Sequence, residues 1–154
     1  MKTSPNNFKR DKREQRGFTL IEVSVCTALI GILSSIAVPT YQSTIQKVRR
    51  ADALVALMDV HLAQSRFRAN NAVYGQLNDI GTRNTSPAGH YVLDVASATP
   101  TGFVVVATAL GAQRADRGCG VMRLTVDGAN VAYASGRDSH AGNDAAVNKR
   151  CWMM

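Results

Sequence analysis

The chain has 154 residues, of which 45% are apolar and 19% charged. That is one domain's worth of sequence with proportions ordinary for a folded protein, which excludes a disordered or low-complexity chain. The formal net charge of +7 would fit a nucleic-acid binder, but residues 1–16 alone hold six Lys or Arg against two acids, a net of +4. No run of basic residues interleaved with aromatics follows, nor any helix-turn-helix or zinc-finger spacing. Nucleic acid is therefore retained as a partner class without a visible site.

Taken in chain order, a basic head (Lys2, Lys9, Arg10, Lys12, Arg13, Arg16) leads directly into FTLIEVSVCTALIGILSSIAV, Phe18 to Val38, where Glu22 is the only charge. A helix of about 20 apolar residues crosses a bilayer, and basic flanks stay on its cytoplasmic side. A secretory signal peptide has a shorter apolar core, about 7–15 residues, and a small-x-small cut site; Ala37-Val38-Pro39 is a poor one. A plain membrane anchor has no use for Glu22, since a carboxylate inside the membrane costs about 2.5–3.5 kcal/mol on insertion scales and needs a partner.

Arg16-Gly17-Phe18-Thr19-Leu20-Ile21-Glu22 resembles the class III signal of type IV prepilins and pseudopilins, and Gly31, Pro39 and Tyr41 stand where that family's helix has them. The resemblance implies that prepilin peptidase cuts between Gly17 and Phe18 and methylates Phe18. It also implies that Glu22 pairs with the N-terminal amine of a neighbouring subunit and sets the register of a filament. The leader, residues 1–17, is longer than is common when the first mature residue is Phe. Pro39 denies the Ser35 carbonyl a donor and kinks or weakens the helix, and Gly31 and Ser34-Ser35 lower helix preference further; the resemblance implies that residues 31–39 loosen on assembly. Cys26 reads as a small buried residue of the rod.

Beyond the apolar segment (18–40), apolar residues recur at Tyr41, Ile45, Val48, Val55, Met58, Leu62 and Ala69, a spacing that marks one helical face. This face is expected to pack on a sheet, with Gln46, Arg49, Arg50, Asp59 and Arg66 turned away from it. Residues 71–89 read as a loop. Strand-like runs follow at 90–96, 102–110, 121–126 and 129–134, with Asp127-Gly128 as a hairpin turn between the last two. The tail from Gly136 to Lys149 looks irregular. The expected fold is α+β: a long N-terminal helix on a four-stranded antiparallel sheet, the head domain occupying 41–154.

Cys119 and Cys151 flank the last hairpin and the tail, in a portion the leader would place outside the cytoplasm, where disulfides persist. The resemblance implies that they form a C-terminal disulfide framing an exposed region, as in small pilins of the PilE kind. No catalytic site is apparent: Ser139-His140 with Asp138 and Asp144 is a local polar cluster, and His61, His90 and His140 are widely separated. Asp127, Asp138 and Asp144 could reach a calcium ion but lack a repeated ligand pattern. No cofactor and no enzyme activity are expected. With no nucleotide-binding glycine pattern, energy for assembly must come from another protein.

The implied protein is a type IV pilus subunit, more in keeping with a minor pilin, serving adhesion, twitching motility or DNA uptake; the alternative is a pseudopilin of a type II secretion system. The implied partners are prepilin peptidase, other pilin subunits, the inner-membrane assembly platform with its ATPase, and membrane lipid before assembly. The implied location is the inner membrane, single-pass with a cytoplasmic N-terminus, and then an extracellular pilus or periplasmic pseudopilus.

Overall fold

The structure is a computed structural model that describes residues 17–138, 141–142 and 144–154; the basic head and the Ser139-His140 pair lie outside the described residues. Helix α1 runs Leu20–Arg68, followed by β1 (Tyr91–Ala98), β2 (Gly102–Ala109), a 3-10 turn (Gly111–Ala115), β3 (Val121–Asp127), β4 (Asn130–Gly136) and α2 (Ala145–Trp152). The chain divides into two compact units, one ending at Pro39 and the other Thr40–Met154.

In the second unit the strands form an antiparallel meander in the order β1-β2-β3-β4. Register is set by alternation: Val95, Val105 and Leu124 share one row across three strands, as do Leu93, Ala107 and Met122. All six are buried and face one side of the sheet. A bulge at Ala96 shifts the β1–β2 register between Val95 and Ser97. Gly128, at φ +57°, is the first residue of the two-residue β3–β4 loop, which spans 128–129 and so begins one residue later than the Asp127-Gly128 turn read from sequence.

The helix buries a different face from the one its large apolar residues mark. Arg50, Ala53, Ala56, Leu57, Val60 and Gln64 are buried, whereas Tyr41, Val48, Val55, Met58 and Leu62 are exposed. Two features explain this. Ala53 and Ala56 are apolar though small, and both lie in the core cluster with Leu57, Val60 and the inward residues of the sheet. The polar residues at either end of this face are also satisfied: Gln64 Nε2 donates to the Gly75 carbonyl at 2.6 Å while Gly75 N–H donates to Gln64 Oε1 at 2.9 Å. A buried polar group carries little penalty once its hydrogen bonds are made.

One further expectation holds with an added anchor and another is revised. The loop at 71–89 is pinned to α1 by Asp52, whose carboxylate accepts from Ser86 Oγ, Ala88 N–H and His90 N–H. The tail is not irregular throughout: α2 starts at Asp144, whose side chain accepts from Val147 N–H as an N-cap. It then covers part of the β4 edge, where Asn148 Nδ2 donates to the Tyr133 carbonyl at 2.8 Å and Ser135 Oγ donates to Asn148 Oδ1 at 2.7 Å. Eight residues are too few to hold a helix unaided; these contacts and the disulfide hold it.

Candidate functional site

Gly17, Phe18 and Thr19 precede α1 in non-helical backbone. Phe18 is 85% exposed, so the bond before it is sterically open. Thr19 N–H and Thr19 Oγ1 both donate to Glu22 Oε2 at 3.2 Å, and Glu22 N–H donates to Thr19 Oγ1 at 3.3 Å. This is a reciprocal capping box. The carboxylate read from sequence as waiting for a partner already caps its own helix, and the Thr-x-x-Glu spacing was the signal for it.

Every residue from Phe18 to Val38 is exposed. The segment reaches a mean hydropathy of 2.1 with none of that window buried inside the chain, so its cover must come from lipid or from other chains. A side chain at Gly31 would meet nothing, and α1 continues as helix through Pro39. Cys26 is a free, exposed thiol rather than a buried residue.

Cys119 and Cys151 are disulfide-bonded, with Cα atoms 5.5 Å apart. Beside the bridge lies a polar cluster tying α1 to the sheet and the C-terminal helix. Arg50 Nε donates to Asp116 Oδ2 at 2.6 Å and its Nη2 to Asp116 Oδ1 at 2.9 Å, a bidentate pair, while Nη1 donates to the Arg150 carbonyl. Gln113 Nε2 donates to Asp116 Oδ2 and to the Tyr91 hydroxyl, which donates to the Cys119 carbonyl. Burial pushes the Tyr91 hydroxyl up to about 12 despite the hydrogen bond from Gln113, which keeps it protonated as a donor.

The outer face of the sheet carries a recess of about 630 Å³ floored by small residues, among them Ala96, Val106, Thr108 and Val121, and flanked by Arg114, Arg123 and Arg137 with Asp94 and Asp138. These arginines come from the 3-10 turn, β3 and the segment after β4, so no sequence run announced them. Asp127, Asp138 and Asp144 do not form a cluster, and among the described residues no group of three potential metal ligands is brought together.

Residues 12–38 match the prokaryotic N-terminal methylation motif, and residues 39–123 match the family described as "Type IV minor pilin ComP, DNA uptake sequence receptor". Among curated relatives, fimbrial protein EcpC of Eikenella corrodens is 34% identical over 98 residues, covering 63% of this chain and 64% of that protein. Type IV major pilin protein PilE1 of Neisseria gonorrhoeae is 32% identical over 85 residues, 53% of this chain and 39% of that protein. A type II secretion system core protein G, from Pectobacterium carotovorum subsp. carotovorum, is 29% identical over 69 residues, 45% of this chain and 44% of that protein. The matched region thus spans less than two thirds of each relative. An exposed apolar N-terminal helix, a four-stranded antiparallel sheet and a C-terminal disulfide make up the type IV pilin fold, and with these matches the chain belongs to the type IV pilins, within the ComP minor-pilin family.

Proposed function

We propose that the chain is a minor pilin that binds DNA: prepilin peptidase cuts it between Gly17 and Phe18 and methylates Phe18, and the inner-membrane platform and its ATPase build it into a filament. The match of residues 39–123 to a family described as a DNA uptake sequence receptor carries the DNA reading. Three guanidinium groups around a small-residue floor support it, since Arg offers phosphate a bidentate fork and the open floor admits a backbone. Replacing Arg114, Arg123 and Arg137 by Gln should weaken binding of a short duplex at least about tenfold and flatten the log–log salt slope by roughly 2–3, near 0.9 per lost phosphate contact. Fluorescence anisotropy across a salt series measures both; unchanged affinity and slope would remove the recess from the DNA reading. The secretion alternative rests on matches over 69 and 79 residues, shorter than those to EcpC and PilE1 over 98 and 85.

For assembly, the uncovered rod and the exposed stripe Tyr41, Val48, Val55, Met58 and Leu62 offer apolar surface to neighbouring subunits. Exchanging lipid for helix gains little hydrophobic free energy, so an ion pair at Glu22 is what distinguishes one register from another. Glu22→Gln keeps a side chain that can complete the capping box but removes the charge. The variant should be cleaved and inserted normally, yet enter filaments at least about tenfold less, each 1.4 kcal/mol of lost pairing being a factor of ten. Immunoblots of sheared filaments against membrane fractions read this out. Normal incorporation of Glu22→Gln would reduce Glu22 to a helix cap.

A further inference from the structure

We infer that the Thr40–Met154 unit carries a binding pocket for a free α-amino acid with an apolar side chain, set between α1 and the loop that leads into β1. The pocket has a volume of about 410 Å³, within the roughly 300–1,000 Å³ typical of small-ligand sites. It is separate from the recess on the outer face of the sheet, with which it shares no lining residue.

Its apolar lining comes from two elements. Ala56 and Val60 stand one turn apart on α1, and Leu93 reaches it from β1. These three are between 1% and 5% exposed, so they present a small area of core at the bottom of the pocket. Asp59 follows Ala56 by three residues and therefore shares that flank of the helix. The other wall is the loop at 81–87, with Arg83 and Thr85.

That loop is already fixed in place. Thr82 N–H donates to the Leu77 carbonyl at 3.0 Å, Ser86 N–H to the Tyr91 carbonyl at 2.9 Å and Leu93 N–H to the Asn84 carbonyl at 2.8 Å. Asp52 holds Ser86, Ala88 and His90 to α1 as described above. The pocket is thus preformed, and a ligand does not have to order it before binding.

Charge selects the ligand class. The helix wall supplies one carboxylate, Asp59, and the loop wall one guanidinium, Arg83. Both residues are exposed, and among the described residues neither is in an ion pair. A ligand with a carboxylate alone would pair with Arg83 and partly desolvate Asp59 without compensation, and an amine alone would do the reverse. A zwitterion satisfies both, since guanidinium binds carboxylate as a fork and ammonium donates to Asp59. The Thr85 hydroxyl adds a neutral donor or acceptor at the same pocket. An apolar side chain on the ligand then covers Ala56, Val60 and Leu93 and releases the water over them.

The test uses the full chain in phosphatidylcholine nanodiscs with L-leucine as the probe, titrated by saturation-transfer difference NMR against empty discs. Leucine should bind with a Kd of about 1 mM or tighter. Two analogues each lack one charge: 4-methylpentanoate has no amine and 3-methylbutylamine no carboxylate. Each should bind about tenfold more weakly than leucine. Arg83→Gln should weaken leucine by about tenfold and leave 3-methylbutylamine unchanged, whereas Asp59→Asn should weaken leucine and leave 4-methylpentanoate unchanged. Both side chains are exposed and unpaired, so thermal melts of the variants should match the wild type. No leucine signal up to about 10 mM, a far weaker affinity than such a pocket should give, would overturn the inference. Equal binding of leucine and both analogues would overturn it in favour of a purely apolar pocket. Undiminished leucine binding by the double variant Asp59→Asn with Arg83→Gln would overturn it by placing the ligand elsewhere.

Discussion

Replacing Cys119 by serine is expected to cost the Thr40–Met154 unit about 3–4 kcal/mol, and to lower its melting temperature by roughly 10–20 °C for a domain of this size. The entropic part follows from the sequence separation of 32 between Cys119 and Cys151, which the bridge closes in the unfolded chain as well as the folded one. The native state loses something too. Both cysteines are fully buried, so a serine hydroxyl would have to find a partner at a site built for sulfur. The C-terminal helix is the element at risk, because its eight residues are held by Asn148, Trp152 and the bridge rather than by helix propensity. Hydrogen exchange should therefore rise first in Ala145–Trp152 and along β4, ahead of β1 and β2. Thermal melts of wild type and variant under oxidising conditions, followed by exchange mass spectrometry, check both parts. A variant that melts with the wild type would mean that the polar cluster at Arg50 holds the C-terminus without help from the bridge.

How much of this was legible before folding depended on whether a feature is local in sequence. The rod and the β3–β4 turn are local, and the apolar run Phe18–Val38 and the turn residues at Asp127-Gly128 announced them. The four strands were placed to within one or two residues, because alternation in a half-buried sheet is a short-range pattern. The buried face of α1 was not legible by counting large apolar side chains. Ala53 and Ala56 look neutral in a sequence, and Arg50 and Gln64 look solvent-bound, until Asp116 and Gly75 arrive from 66 and 11 residues away. The same nonlocality hid the arginines of the recess, which come from separate elements and form no run. A polar residue at a helix position flanked by small ones is the one hint that could have reversed the face assignment.

Arg50 is accordingly the residue whose single loss should cost the unit most among its polar side chains. Arg50→Met should destabilise it by about 3–5 kcal/mol, since Asp116 is 4% exposed and would be left buried with only Gln113 donating to its side chain. Its attraction to Arg50 is not a measure of what the pair adds over an apolar core, because bringing two charges out of water offsets much of the Coulombic gain. The double variant Arg50→Met with Asp116→Leu separates the two quantities. It should recover most of the loss, since Gln113 keeps the Tyr91 hydroxyl and the Gln46 carbonyl as acceptors. Urea melts of the wild type, both single variants and the double variant give the coupling energy directly. A double variant as unstable as Arg50→Met would show that the pair is specified by more than mutual neutralisation. The remaining candidate is then the bond from Arg50 Nη1 to the Arg150 carbonyl, which ties α1 to the last turn of the C-terminal helix. Adding Cys119→Ser to each variant would decide it, because that bond and the bridge hold the same turn and their losses should then exceed the sum of the two taken singly.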